Sequence, residues 1–497
     1  MEEQPKEEIK KNKYLSFLKN NWILILILII AFIIRVIYFN VNSAMWWDEA
    51  EYMNIAKHWV FKIPMDLNPQ RPPLFPLIIS FFYLLKSSEA IIRFFVVLIP
   101  SFLIVFFTYK VGKVIYNKRI ALIATFIMAV FWLLIFNTAR VHTDALSILF
   151  NLIAIYLFWK YYIKTYNKKY IWLIGLFLGL GFLTRIVAVL IAIIIIVYLI
   201  ITERTKFLKD KNIWISFIGL LIVLIPYLIW SKITFDKFLA FTHGYTEKNV
   251  YPIAWYIFKF FQVYNEWFLF IFFIIGLLTL YKLIIGFDLV IKDKEGKLKN
   301  DLFILLWIII PLIYFVFFQR AAEDRWLMPI APAVFLLVGK GITIITDFIK
   351  KYSKALAIIA ILCILLFGAV QQLTHADDII KIKKDSEYQI KPAGLWLKDN
   401  SNRDDTIMSN NVYMELQYFS DRKILSVAGS EDEMKTKLKE NNAKYYVVTS
   451  FYKSEDWTYE YPSKHQESLK PVQVYYLNEA KTQPVLVIYE IKDYENL

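Results

Sequence analysis

Long apolar runs alternate with short basic loops along most of this chain. The run "WILILILIIAFIIRVIYF" at 22–39 is the first, and several later runs also reach about 18 residues, enough to cross a hydrocarbon core as a helix. Lysine and arginine cluster in the loops 109–119, 160–169, 203–211, 292–299 and 350–354 and in the tail 1–19. Such clusters stay on the cytoplasmic side, so an even number of spans must separate each from the next. The stretch 72–85, "PPLFPLIISFFYLL", breaks that parity if it crosses. It is about 14 residues long, the length of a re-entrant or interfacial segment, and Pro72, Pro73 and Pro76 disfavour a full helix. Placed at the outer surface, it leaves spans near 20–40, 89–110, 119–139, 144–163, 171–184, 186–202, 212–231, 262–284, 302–319, 326–347 and 354–373. The run 171–202 reads as a tight hairpin of two short helices broken near Thr184 and Arg185.

The expected fold is therefore a polytopic α-helical membrane protein with about 11 transmembrane helices and its N-terminus inside. A cytoplasmic tail covers 1–19, the membrane domain 20–373, and a first outer loop 41–88. After Gln372 the pattern turns polar. In 376–497, "AGLWLKDN" has helical spacing, while "KYYVVTSF", "VQVYYL" and "PVLVIYEI" have the β-rich pattern of strands. This is the signature of a small soluble α/β domain on the extracytoplasmic face. No repeat relates two halves of the chain.

Composition agrees: 58% of residues are hydrophobic and the mean hydropathy is +0.47. The net charge of +14 belongs with cytoplasmic lysines facing anionic lipid rather than with nucleic acid. The single cysteine, Cys363, rules out a disulfide framework.

The expected topology collects the unusual polar residues on one side. "MWWDEAEY" puts Asp48, Glu49 and Glu51 beside Trp46 and Trp47 in the first outer loop, with Arg71 before the proline segment. Arg140, His142 and Asp144 end the third span, and Arg185 lies at the hairpin tip. His243, Arg320, Glu323, Asp324 and Arg325 follow in later outer loops. Ionisable groups at membrane depth are costly and mark sites or pathways. Arginine's planar fork suits phosphate, and a carboxylate in a partly apolar pocket gains a raised pKa and serves as a general base. Together they suit transfer from a phosphate-linked lipid donor to a hydroxyl, with Asp48 taking the proton and arginines stabilising the departing phosphate.

The motifs "WWDEAEY", "RPPLFP", "TARVHTDAL", "GFLTR" and "EDRWLMPIAPA", in this order across 20–345, resemble the protein O-mannosyltransferase and aminoarabinose-transferase branch of the GT-C glycosyltransferases. The resemblance implies an inverting enzyme that uses a dolichyl- or polyprenyl-phosphate sugar as donor and a protein, glycan or lipid hydroxyl as acceptor. It places Asp48 as the base, Glu49 as its neighbour and Asp144 as the second acidic residue. It places Arg140, Arg320 and Arg325 where the family handles donor phosphate; Arg71, Arg185 and His243 join them as substrate-binding candidates from their position. That branch has a Glu-Lys pair before its proline segment where this chain has Gln70-Arg71, so a metal ligand does not carry over. His142 and His243 remain weak candidates for a divalent metal. Residues 376–497 lack a Trp-Trp-Asp motif, which argues against sequon-directed N-glycosylation. The rival reading is a lipid or sugar transporter or flippase of the cytoplasmic membrane, which calls for midplane polar residues and matching halves.

Plainer roles compete at each position. Asp48 can be a helix N-terminal acid, on an amphipathic surface helix where Tyr52, Ile55, Ala56, Trp59 and Val60 recur, and Glu51 then stays solvated. Trp46 and Trp47 can anchor the membrane interface, Arg71 can snorkel, and Asp144 can pair with Arg140 four residues earlier.

Overall fold

A computed structural model describes residues 6–242, 252–264, 268–285, 290, 293, 296–318 and 323–494. Among them, eight helices are long and apolar enough to cross a membrane: Leu18–Tyr38, Glu89–Ile115, Thr143–Lys164, Ile186–Glu203, Lys211–Phe235, Lys297–Phe317, Asp324–Lys350 and Lys354–Lys383. Two helix pairs qualify only jointly, Lys118–Val130 with Trp132–Thr138 and Ile253–Tyr264 with Phe268–Leu278, bringing the total to as many as 10. The remaining expected span is Trp172–Thr184, with 13 residues, about 20 Å at 1.5 Å per residue and too short by itself. It packs backbone to backbone against Lys211–Phe235. A methyl group on Gly175 would collide with the Ser216 carbonyl, and one on Gly219 with that of Trp172. The segment expected at the surface forms α3, Leu74–Leu84, also short of a span. The last long helix continues to Lys383, past the expected boundary at 373.

The pair Lys118–Val130 and Trp132–Thr138 bends by 49° at Phe131, although no proline or glycine stands there. Side chains from distant helices hold the break. Arg35, on α1 (Lys6–Tyr38), is fully buried and donates to the carbonyls of Ala129 at 3.0 Å and Met128 at 3.5 Å, and to Ser101 Oγ at 2.9 Å. Gln372 Oε1 accepts from the Trp132 amide at 3.0 Å. Broken backbone at membrane depth persists only with such partners. Arg35→Met is expected to orphan these carbonyls at about 1–3 kcal/mol each, read as a lower melting temperature in detergent.

The C-terminal part builds a five-stranded mixed sheet in the order β2-β1-β3-β5-β4, from β1 (Thr406–Ser409), β2 (Lys423–Ser426), β3 (Ala443–Thr449), β4 (Leu469–Tyr476) and β5 (Pro484–Ile491). β1 runs parallel to β2 and β3; β5 is antiparallel to β3 and β4. Along β3, Tyr445 and Val447 face the helices Ile390–Asn400 and Tyr413–Ser420, while Tyr446 faces Glu431–Glu440 and Asp456–Lys464, as a period of two requires.

This sheet domain docks on α2, Trp47–Phe61. Asn54 Nδ2 donates to the Met414 carbonyl at 2.8 Å, Lys57 Nζ reaches the Tyr418 carbonyl at 2.6 Å and Asp421 Oδ1 at 2.7 Å, and Trp47 meets Tyr413 edge-on at 4.3 Å. Covered by α3 and by the sheet domain, α2 buries every residue from Glu49 to Ala56. It is not the amphipathic surface helix expected from its spacing.

Candidate active site

The Trp-Trp-Asp stretch opens α2, so Asp48 and Glu49 stand in its first turn. Glu49 is fully buried. Its Oε1 accepts from Arg140 Nη1 at 3.2 Å, its Oε2 accepts from the Val141 amide at 2.9 Å, and Arg93 Nη2 lies 3.6 Å away. Glu49 thus pins α2 to the loop that precedes the helix Thr143–Lys164.

Asp48 is gripped from both sides. Arg71 Nη2 donates to Oδ1 at 2.7 Å and Arg325 Nη2 to Oδ2 at 2.8 Å. Burial alone pushes the carboxyl up, but Arg71 and Arg325 outweigh it and hold Asp48 well below the usual carboxylate range. The expectation of a raised pKa is overturned by these two guanidinium groups.

Arg71 is forked. Its Nε donates to Glu51 Oε2 at 2.6 Å, and Glu51 Oε1 accepts from Asn68 Nδ2 at 2.7 Å. Glu51 is 1% exposed, so it is a buried partner of Arg71 and not a solvated residue, and Arg71 does not snorkel to headgroups. Arg325 also pairs with Glu323, and its Nη1 lies 3.3 Å from His142 Nδ1. Burial, then Arg325, drives the His142 pKa well down, so the ring is neutral and its Nδ1 accepts from the guanidinium.

Asp144 pairs through Oδ1 with Arg185 and not with Arg140; its buried Oδ2 has no partner among the described residues. Arg140 turns the other way and stacks on Trp46, its Cζ 3.1 Å from the ring centroid. It is 1% exposed and sits behind Trp46. His243 and Arg320 lie outside the described residues.

A cavity of about 750 Å³ opens against this cluster, lined by Trp46, Trp47, Asp48, Trp132, His142 and Arg325, with Tyr452 contributed by the sheet domain. The two first-loop tryptophans form part of the cavity wall. Lys259 also lines it, paired with Asp324 at 2.9 Å. Among the described residues, no group of three or more His, Cys, Asp or Glu is placed to hold a metal. The guanidinium beside His142 also makes it a poor cation ligand. Among the described residues the donor set does not fit a metal, and His243 lies outside them.

Sequence reasoning missed Arg93, Asn68 and Glu415. Glu415, on the helix Tyr413–Ser420 packed against α2, is fully buried and neither carboxylate oxygen has a partner among the described residues. Burial first, then Glu387, Asp48 and Glu49, push it up to about 8, against a smaller opposing contribution from its own backbone amide. A lone glutamate in "YMELQYFS" carries no signal of this.

The family model for dolichyl-phosphate-mannose-protein mannosyltransferase matches residues 70–230. Comparison with curated proteins gives no match. Among solved structures, apo ArnT from Cupriavidus metallidurans aligns with a TM-score of 0.67 at 12% identity, over 95% of this chain and 98% of that one. The oligosaccharyltransferase AglB from Archaeoglobus fulgidus, in complex with an inhibitory peptide and a dolichol-phosphate, aligns at 0.63 with 13% identity, over 87% of this chain and 70% of that one. The arabinofuranosyltransferase AftD from Mycobacteria aligns at 0.58 with 9% identity, over 95% of this chain and 42% of that one.

Proposed function

We propose that this chain, which belongs by fold to the GT-C superfamily, is a membrane glycosyltransferase that moves one sugar from a polyprenyl- or dolichyl-phosphate carrier to an acceptor hydroxyl, with inversion. One observation carries the reading: Asp48 stands between two arginines at the wall of an aromatic cavity. A carboxylate there reaches an acceptor proton, and a guanidinium there meets a phosphate. ArnT bound to undecaprenyl phosphate, which aligns at a TM-score of 0.67, and AglB with dolichol-phosphate support this donor class.

In this reading Asp48 is the base. Glu49, locked by Arg140, Arg93 and the Val141 amide, positions the helix turn that carries it, so Arg140 supports the site from behind Trp46 instead of touching phosphate. Asp144, paired with Arg185, is the second acid; the two line a neighbouring pocket beside Ser147 and Pro329 and not the aromatic cavity itself. Trp46, Trp47 and Trp132 exclude water from the reacting centre and offer apolar faces to a sugar. In this reading the N-terminus is cytoplasmic and the site and sheet domain face outward across the cytoplasmic membrane, which the lysine and arginine pattern supports.

The test is a panel of polyprenyl-phosphate and dolichyl-phosphate sugars given to the purified protein in nanodiscs, with release of the bare lipid phosphate as the readout. Consumption of one donor is the expected result. Inertness toward every hexosyl and pentosyl donor, with and without lipid, glycan and peptide acceptors, overturns the reading.

A further inference from the structure

Both arginines grip Asp48, but they are not held alike. Arg71 is anchored from behind by Glu51, which Asn68 orients in turn. Glu51 is 1% exposed, so moving Arg71 away strands a buried carboxylate. The second anion of Arg325 is Glu323, which is 50% exposed and therefore a weak hold. Asp144 also attracts Arg325 electrostatically, but its bonded partner is Arg185, so the remaining direct contact of Arg325 is the neutral ring of His142. Arg325 lines the cavity, whereas Arg71, although similarly exposed, is not among the residues that line it.

Resting on the transferase reading, we infer that Arg325 exchanges Asp48 for the donor phosphate during transfer, while Arg71, locked by Glu51, stays on Asp48 throughout. The movement of charge during transfer favours such an exchange. The donor is a phosphodiester with one negative charge. As the acceptor oxygen bonds to the anomeric carbon, the carbon–phosphate-oxygen bond breaks and its electron pair goes to that oxygen, giving the phosphate a second charge. The acceptor proton goes to Asp48 Oδ2, the oxygen that Arg325 holds at rest. Negative charge thus leaves the carboxylate and appears on phosphate, and the mobile guanidinium follows it. Departure of Arg325 also raises the proton affinity of Asp48 at the moment it must accept a proton. An interaction that strengthens only toward the transition state is the kind that accelerates transfer. Glu51 becomes a positioning residue: it decides which arginine is free to move.

The experiment measures binding of undecaprenyl phosphate, and separately dolichyl phosphate, to the full-length protein in nanodiscs, with turnover against pH alongside. Arg325→Gln is expected to weaken binding by about tenfold or more. Arg71→Gln, made together with Glu51→Gln so that no buried carboxylate is stranded, is expected to stay within about threefold of wild type in binding, while the acid limb of its turnover profile moves to higher pH because Asp48 has lost its permanent partner. Glu323→Gln, at a half-exposed position that does not threaten the fold, is expected to tighten binding by about threefold. Equal losses in the two arginine variants, or no gain in Glu323→Gln, overturn the exchange while leaving the transferase reading intact. Absence of saturable binding of either lipid to the wild type overturns both.

Discussion

Asp48→Asn is expected to lower turnover by about 10²–10⁴ while leaving the protein folded and its lipid-phosphate binding tighter by about tenfold. The loss follows because the amide cannot take the acceptor proton. The gain follows because Arg325 no longer has the Asp48 carboxylate to hold it back from the phosphate. Folding survives because each arginine keeps a second carboxylate, Glu51 or Glu323. Asp48 is held below the usual range, so it is charged at every working pH of the resting protein, and its contribution to stability is present above the unfolded value of about 3.9 and lost as pH falls through the depressed one. Steady-state turnover, equilibrium binding and a thermal melt on one preparation check all three. A transporter would not couple lost transport to tighter binding at this residue, and an anchor for the sheet domain would register neither change. Unchanged turnover removes Asp48 from the chemistry.

Much of the frame was legible because lipid demands length and apolarity, which show along a single chain. The eight long helices all coincide with expected spans. β3, β4 and β5, strands of seven or eight residues, were legible from β-rich apolar runs in the sequence. β1 and β2, with four residues each, are too short for a period to show. What the chain hid was pairing. Asp144 stands four residues after Arg140, which invites a helical ion pair, but the helix begins only at Thr143 and Arg140 lies in the loop before it, so the geometry of that pair does not exist. Glu51 was read as solvated because periodicity on α2 shows one apolar face and cannot show that α3 and a domain some 360 residues away cover the rest. The bend at Phe131 has no local signal because its causes, Arg35 and Gln372, sit in other helices. The raised pKa expected for Asp48 failed for the same reason: pocket polarity was inferred from neighbours in sequence, whereas the deciding charges, Arg71 and Arg325, come from 23 and 277 residues away.

Glu415→Gln is expected to stabilise the protein at pH 8 by about 3–5 kcal/mol and to leave it unchanged near pH 4. The side chain has no partner for either oxygen among the described residues and sits where the sheet domain meets α2, facing Glu387, Asp48 and Glu49. In the unfolded chain a glutamate ionises near 4.3, whereas burial moves the folded value to about 8. Between those values the folded state holds a proton that the unfolded state has released, so stability falls as pH rises and the decline levels off above the folded value. Glutamine keeps the shape of the protonated acid and carries no such liability. Melting curves of wild type and variant from pH 4 to 9 should therefore meet at the acid end and diverge toward pH 8. The helix Tyr413–Ser420 holds α2 through Asn54 and Trp47, so ionisation of Glu415 is expected to loosen the contact with the helix that carries the base. Parallel curves across the whole range would mean that Glu415 is ionised when folded and has a partner or solvent that offsets its burial.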